Sequence, residues 1–321
     1  MIDFIAENKE KLNINIEKLS WPDKYKIPVT DIELSFSLGG QKYIGRGTSF
    51  DSNLSLKKAL SEAVERYMVK TLKMLNSNGV AVHPDITYAK EYAANELIER
   101  DLFLCHYLTN TPMKLISLEK LDKNSQAILD FLEEFDIGVK IFQMGRVSKN
   151  AICVILDGRK CITNKFGIIA GSSCGHELES SIKKAMLETL IDFISVIENG
   201  VRNISLDEFY QLDYVFPEDH LRLARNIDYA NSYFNIFEDQ SSDFLINSDS
   251  DSMSEISINE IKIDKRFDKL GLKMFQAKSD KMQPLYFGKT KMEYINMERL
   301  KNFKNNSFLA EDINKLPHPF G

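Results

Sequence analysis

Two segments of the sequence carry the same pattern of ionisable residues, Glu-x-x-Glu-Arg. In chain order the residues are Glu62, Glu65 and Arg66, and then Glu96, Glu99 and Arg100. Residues i and i+3 of an α-helix share a face, so each segment is expected to present two carboxylates beside a guanidinium. Mg²⁺ prefers oxygen ligands and usually completes its shell with water and nucleotide phosphates, and arginine pairs well with phosphate. The pattern predicts a divalent-metal and phosphate site.

A solvated helix face with ordinary ion pairs, each worth a few tenths of a kcal/mol, is the alternative interpretation. An internal repeat argues against it, because three segments place a glycine at a strand end before a helix in which alanine precedes glutamate by three positions. The triplets are Gly47, Ala59, Glu62; Gly79, Ala93, Glu96; and Gly171, Ala185, Glu188. Only the first two continue as Glu-x-x-Glu-Arg. We expect repeated strand-helix units whose helices direct their carboxylates toward a shared centre.

Hydrophobic periodicity predicts the elements that position these residues. A short helix and a proline-bearing arm are expected within 1–30, and a hairpin turn at 39–40. Strands are expected at 31–37, 41–45, 80–82, 139–144, 151–156, 167–171, 272–276 and 285–288, and helices at 52–75, 85–111, 125–135 and 178–197. The expected fold class is α/β (α+β), a single large domain of repeated strand-helix units. It divides into an arm and first strand, 1–40, and a domain, 41–321, with a flexible loop at 239–260.

Composition restricts the class of function. The chain of 321 residues is 43% hydrophobic and 27% charged, and no apolar run approaches the ~20 residues of a membrane span. A net charge of −6 disfavours a nucleic-acid partner, since phosphate binding calls for a basic face. No secretory signal begins the sequence, which favours the cytoplasm. The four cysteines form no metal or redox motif and are expected to be buried. The histidines His83, His106, His176 and His220 form no recognisable triad and are expected to be structural or solvated.

Four stretches resemble the landmarks of the YcaO family, in order. They are GRGTSFDSNLSLKKALSEAVERY, SNGVAVHPDITYAKEYAANELIERD, MQPLYFGKT and the terminal PHPF, and the resemblance extends from Gln41 to Gly321. It implies an ATP-dependent enzyme that activates a peptide backbone amide. In that chemistry a nucleophile adds to the amide carbonyl and ATP phosphorylates the resulting oxyanion. Phosphorylation makes the poorly leaving amide oxygen a good leaving group, with Mg²⁺ and positioning carrying most of the catalysis.

The resemblance also implies roles for particular residues. The magnesium ligands would be Glu62, Glu65, Glu96 and Glu99, and the nucleotide-contacting residues Arg66, Ser77, Asn78 and Arg100. A proline-rich C-terminal tail enters the active site in azoline-forming members, which assigns a catalytic role to Pro317, Pro319 and Gly321. Gly321 stands where a third proline is expected.

The expected function is modification of a ribosomally synthesised precursor peptide, by cyclodehydration of Cys, Ser or Thr to thiazoline or oxazoline. The expected partners are the precursor, a leader-binding E1-like or related protein that forms a hetero-oligomer with this chain, and a flavin-dependent dehydrogenase. Thioamide or amidine formation is the alternative within the same chemistry.

A catalytically weakened scaffold that binds peptide or partner within a modification complex is the second class of function. Three departures from the family pattern motivate it: a short stretch, Tyr67 to Asn76, after the first Glu-x-x-Glu-Arg; Lys58 in place of a serine; and a third repeat with Ile191, Asp192 and Ser195 at its key positions.

Overall fold

A computed structural model describes residues 5, 7–74, 77–146, 149–233, 255–304 and 307–320. The chain divides into two compact units. The first unit comprises Met1–Leu97 and Ile256–Lys278, and the second comprises Ile98–Glu255 and Ser279–Gly321. The predicted division into 1–40 and 41–321 stays a prediction.

The described residues form strands and helices in the following order. The strands are β1 Asn15–Lys18, β2 Thr30–Leu38, β3 Gln41–Ser49, β4 Val80–His83, β5 Lys114–Leu115, β6 Gly138–Arg146, β7 Asn150–Asp157, β8 Ile168–Gly175, β9 Ser257–Ile261 and β10 Lys273–Lys278. The α-helices are α1 Trp21–Lys24, α2 Ser52–Thr71, α3 Ile86–Leu108, α4 Lys123–Glu133, α5 Leu178–Asn199, α6 Leu206–Gln211, α7 Pro217–Ala224, α8 Ile227–Tyr233 and α9 Met297–Lys304. The boundary between the units, after Leu97, falls inside α3.

The first unit contains two antiparallel three-stranded sheets, in the orders β1-β2-β3 and β4-β10-β9. Helix α2 begins at the N-cap Asp51, whose carboxylate accepts the Leu54 N–H at 2.7 Å. Its apolar stripe repeats every three or four residues and is buried in one core with β2 and β3. Leu12 and Ile14 from the N-terminal region belong to the same core.

The second unit is built on one antiparallel sheet in the order β5-β6-β7-β8. The residues Ala151–Leu156 of β7 are fully buried, which explains why this strand reads as an uninterrupted apolar run. Helix α5 packs on β7 and β8, and α4 packs beside α5. Thus β8 and α5, the strand and helix of the predicted third repeat, are in direct contact.

The predicted fold class is confirmed, and most predicted elements are found with shifted ends. Helix α2 ends at Thr71 instead of residue 75, and Lys73 just beyond it has a left-handed φ of 53°. The predicted strand 285–288 is wrong, because the backbone there bonds to histidine side chains instead of a neighbouring strand. Four short helices of the described residues, α6 to α9, were not predicted.

The predicted loop 239–260 is partly wrong, since Ser257–Ile261 forms β9 and pairs with β10. Residues 239–254 of that loop lie outside the described residues. All four cysteines are buried thiols, as expected. Within the described ranges, the helices are too short or too polar to traverse a lipid bilayer.

Candidate functional site

In each unit, a backbone N–H of an edge strand donates to a glutamate carboxylate on the helix that covers the strand. In the first, the Arg46 N–H on β3 donates to Glu62 Oε2 on α2 at 2.8 Å. In the second, the Ser172 N–H on β8 donates to Glu188 Oε2 on α5 at 2.9 Å. Donor and acceptor are separated by 16 residues in both. Both strands are sheet edges, so their outward N–H groups are available to the covering helix.

A glycine immediately before each donor allows the helix to approach. A Cβ on Gly45 would lie 2.0 Å from the Ala59 carbonyl oxygen, and one on Gly171 would lie 2.9 Å from that of Ala185. Each glycine precedes its alanine by fourteen residues. Gly45, and not the predicted Gly47, is therefore the counterpart of Gly171 in the repeat.

The second predicted repeat lacks this contact. Gly79 also precedes Ala93 by fourteen residues. A Cβ on Gly79 would instead meet the carbonyl oxygen of Ala277 on β10, at 2.6 Å, and its φ is 71°. Gly79 therefore serves the junction into β4 and not the packing of α3.

In the first unit, the predicted ligand Glu65 lies within electrostatic reach of the predicted ligands Glu62 and Glu96. The pKa of Glu65 lies well above its ordinary value because the side chain is desolvated and because Glu96 and Glu62 place negative charge nearby, while Arg66 opposes the shift. Glu62 is held by the Arg46 N–H and by Arg66, whose Nη2 is 2.6 Å from Glu62 Oε1. A proton or a cation would relieve the repulsion at Glu65.

A cleft of about 460 Å³ opens beside two of these carboxylates. Its lining residues all lie on α2 or in the segment that follows it. They are Glu62, Glu65, Arg66, Val69, Lys70, Lys73, Met74 and Ser77. One part of the cleft offers carboxylate oxygens and another offers ammonium and guanidinium groups. Lys70 and Lys73 were missed by sequence reasoning, because their place in the cleft depends on where α2 ends.

The predicted nucleotide-contacting residues of the first unit differ in how far they are exposed to solvent. Arg66 is 59% exposed and donates to the Ile44 carbonyl at 3.1 Å. Ser77 is exposed at the cleft, and its carbonyl accepts the Val80 N–H at 2.9 Å in a tight turn. Asn78 is half-buried and is not among the described residues that line the cleft.

A second group of charged residues lies in the second unit. Glu99 is buried, accepts the Ser172 hydroxyl at 2.5 Å, and has Arg100 Nε at 3.8 Å from Oε1. Burial raises the pKa of Glu188 to about 7, against the Arg100 cation and with the charge of Glu99. The Arg100 guanidinium thus lies near Glu99 and close enough to Glu188 for its charge to act on that carboxyl. Ser172 was missed by sequence reasoning, although it directly follows the repeat glycine Gly171.

The C-terminal tail is also buried in the second unit. The carbonyl of Pro317 accepts the Tyr107 hydroxyl at 2.8 Å and the Tyr229 hydroxyl. The Phe320 ring packs against Phe103, and the Arg100 guanidinium lies 4.9 Å from its centroid. The tail therefore reaches the same arginine that Glu99 approaches. The predicted tail residue Pro319 is buried, and Gly321 lies outside the described residues.

The donor set suits a magnesium ion that is completed by other ligands. Across the described ranges, no three His, Cys, Asp or Glu side chains are arranged as a ready metal cage. Mg²⁺ seldom uses such a cage, since it usually binds one or two carboxylates together with water and phosphate oxygens. The mutual repulsion of Glu65, Glu96 and Glu62 is of the kind that a divalent cation neutralises.

Solved structures with this fold share little sequence with the chain. One, described as "Heterocyclase in complex with substrate and Cofactor", has 12% identity and a TM-score of 0.64, covering 99% of this chain and 57% of that one. YcaO from Methanopyrus kandleri bound with AMPPCP and Mg²⁺ has 11% identity and a TM-score of 0.60, covering 88% and 90%. The E. coli microcin synthetase McbBCD complex with pro-MccB17 bound has 14% identity and a TM-score of 0.50, covering 91% and 73%. The chain thus spans somewhat over half of the heterocyclase's length.

Residues 66–275 match the family model described as "YcaO cyclodehydratase, ATP-ad Mg2+-binding". The chain belongs to the YcaO family. This confirms the family resemblance and, at the level of the family, the prediction of ATP and Mg²⁺ as cofactors. The matched range begins at Arg66 and so excludes Glu62 and Glu65. No curated protein sequence matches the chain.

Proposed function

We propose that this chain is an ATP- and Mg²⁺-dependent enzyme that phosphorylates a backbone amide oxygen in a ribosomally synthesised precursor peptide. The side chain of a Cys, Ser or Thr next to that amide adds to the carbonyl, and phosphate leaves to give a thiazoline or oxazoline. The observation that carries the proposal is the cleft of the first unit, in which carboxylates and cationic side chains line one cavity on a YcaO chain.

The carboxylates are assigned to the metal. Glu62, Glu65 and Glu96 are close enough for their charges to raise the pKa of Glu65, which supports them as magnesium ligands. When bound, ATP would supply the phosphoryl group, and Mg²⁺ would neutralise the negative charge on its phosphate oxygens. Glu99 is the proposed fourth carboxylate, one helical turn after Glu96 on α3, and the Ser172 hydroxyl fixes its orientation.

The cationic residues are assigned to the nucleotide phosphates. Arg66, Lys70 and Lys73 follow one another at intervals of four and three residues, line the cleft, and can neutralise phosphate oxygens. Ser77 at the same cleft offers a hydroxyl, and Asn78 in the same turn is kept as a nucleotide contact.

Arg100 is assigned to the nucleotide, and the C-terminal tail is assigned a catalytic role. The buried tail brings Phe320 against Arg100, which supports a role for Pro317, Pro319 and Gly321 in holding the reacting groups. The proposed partners are the precursor peptide, a leader-binding E1-like or related protein in a hetero-oligomer, and a flavin-dependent dehydrogenase that oxidises the ring.

Calorimetric titration with a non-hydrolysable ATP analogue, with and without Mg²⁺, tests the nucleotide assignment. We expect Mg²⁺-dependent binding that Glu65→Gln or Glu96→Gln weakens at least tenfold, since each removes a carboxylate charge from the cluster. Glu17→Gln, on the exposed strand β1 of the same unit, is the matched control and should bind as wild type. Equal binding by all four proteins would remove the metal assignment.

Precursor mass after incubation with ATP, Mg²⁺ and the partner identifies the product. Loss of one water indicates a ring, and replacement of oxygen by sulfur indicates a thioamide.

The scaffold function has one observation in its favour: Asp192 stands where the third repeat would carry an arginine, and its carboxylate is 3.8 Å from Arg225. Peptide binding without any nucleotide binding or mass change would establish the scaffold and refute the enzyme.

A further inference from the structure

His220 on α7 lies between two segments that are distant in sequence. Its Nε2 is 2.8 Å from the Gly288 N–H, which can only donate, so Nε2 must be the acceptor. Its Nδ1 is 2.6 Å from the His318 carbonyl oxygen, which can only accept, so Nδ1 must carry the proton. Both bonds together fix the neutral Nδ1–H tautomer.

The surroundings keep this imidazole neutral and immobile. His220 is fully buried, and burial lowers its pKa to about 4. Its ring stacks on that of His318, with centroids 4.3 Å apart and planes 22° apart, and the edge of the Phe209 ring packs against it. The other side of the contact is also fixed, because His318 Nε2 is 2.6 Å from the Tyr286 carbonyl.

We propose that His220 is a positioning residue that clamps the C-terminal tail to α7 through its Nδ1–H bond to the His318 carbonyl, while its Nε2 separately holds the 286–288 segment at Gly288. One imidazole bonds the tail at His318 and the segment at Gly288, and two residues beyond His318 the buried Phe320 meets Arg100. The contacts described for His220 run to the tail, the 286–288 segment and Phe209, so it acts through the tail. Only the expected effect of the clamp on turnover rests on the proposed function; the docking of the tail does not.

Two substitutions separate the bonds of the clamp. His220→Asn places an amide N–H near the position of Nδ1 and keeps the donor to His318. His220→Gln places an amide oxygen near Nε2 and keeps the acceptor for Gly288. Each loses one of the two hydrogen bonds, so the two variants should unfold at similar temperatures. A merely structural role would make them equivalent in every assay.

Release of Phe320 by carboxypeptidase, followed by mass spectrometry, measures tail docking without reference to activity. We expect slow release from wild type and His220→Asn, and release at least tenfold faster from His220→Gln and His220→Leu. His176→Asn, at an exposed histidine of the same unit, is the control and should behave as wild type. If His220→Leu does not fold, the Asn and Gln pair still decides the outcome.

Equal release rates for folded Asn and Gln variants would overturn the clamp. With an active complex, His220→Gln should lower kcat at least fivefold while the dissociation constant for the ATP analogue stays within twofold of wild type. Loss of nucleotide affinity in step with kcat would overturn the positioning role. If wild type itself binds no nucleotide, the proposed function fails, whereas the carboxypeptidase pattern still decides on the clamp.

Discussion

Asp101 and Arg299 form a buried ion pair in the second unit, and its removal gives a prediction of defined size. Arg299 Nε lies 3.0 and 3.1 Å from the two carboxylate oxygens and Nη2 lies 2.6 Å from Oδ2. The side chains are 1% and 3% exposed, and the Gln283 N–H also donates to Asp101, at 2.7 Å. The pair therefore joins α3, α9 and the start of the MQPLYFGKT segment.

We expect Asp101→Asn to destabilise the second unit by about 3–5 kcal/mol, because the Arg299 guanidinium is left buried without its counter-charge. For a unit of this size that corresponds to a fall in melting temperature of roughly 6–20 °C. Thermal unfolding followed by circular dichroism measures the change. Adding Arg299→Met should recover part of the loss, since the unpaired charge is then removed as well.

The surface pair Lys18–Asp23 supplies the control. Its atoms are 3.3 Å apart, but the side chains are 56% and 77% exposed, so Asp23→Asn should cost less than about 1 kcal/mol. A loss for Asp101→Asn no larger than that for Asp23→Asn would refute the reasoning from burial. So would a double variant that is no more stable than Asp101→Asn alone.

Two further predictions concern packing and pH. Gly45→Ala should destabilise more than Gly171→Ala, since the nearest atom would lie 2.0 Å instead of 2.8 Å from the new Cβ; comparison of melting temperatures checks the order. Burial lowers the pKa of His220 to about 4 and also lowers that of His318. Between that value and the ordinary histidine pKa, the unfolded chain therefore binds protons that the folded protein does not. Unfolding free energy from urea titration should therefore fall as pH drops from 6.5 toward 4, by about 3 kcal/mol for His220 alone. An unchanged pH dependence in His220→Asn would contradict this assignment.

The sequence predicts the glutamates of the site better than the groups that hold them. Glu62 and Glu65 follow from helical spacing, because side chains three residues apart must share a face, whereas Glu96 follows from the internal repeat. The donors to Glu62 and Glu188 are backbone N–H groups, which every residue except proline carries, so Arg46 and Ser172 leave no compositional signal. Local spacing thus reveals what faces the cleft but not what anchors it.

Long-range contacts were the part of the site that was hardest to predict from the sequence. His220 bonds to Gly288 and His318, which lie 68 and 98 residues away, and no motif connects them. The place of Lys70 and Lys73 in the cleft depends on the end of α2, which periodicity extended to residue 75. Such contacts are decided by tertiary packing, which a single sequence does not encode in any short window.

The backbone anchors also determine how freely the sequence can drift around the carboxylates. Since the main chain supplies the bond to Glu62, replacing the Arg46 side chain leaves that donor in place, and the same holds for Ser172 and Glu188. Proline is the exception, because it has no N–H to donate. The side chains at these two positions have partners of their own, Asp31 for Arg46 and Glu99 for Ser172, so a replacement disturbs those contacts while the backbone bond to the glutamate remains.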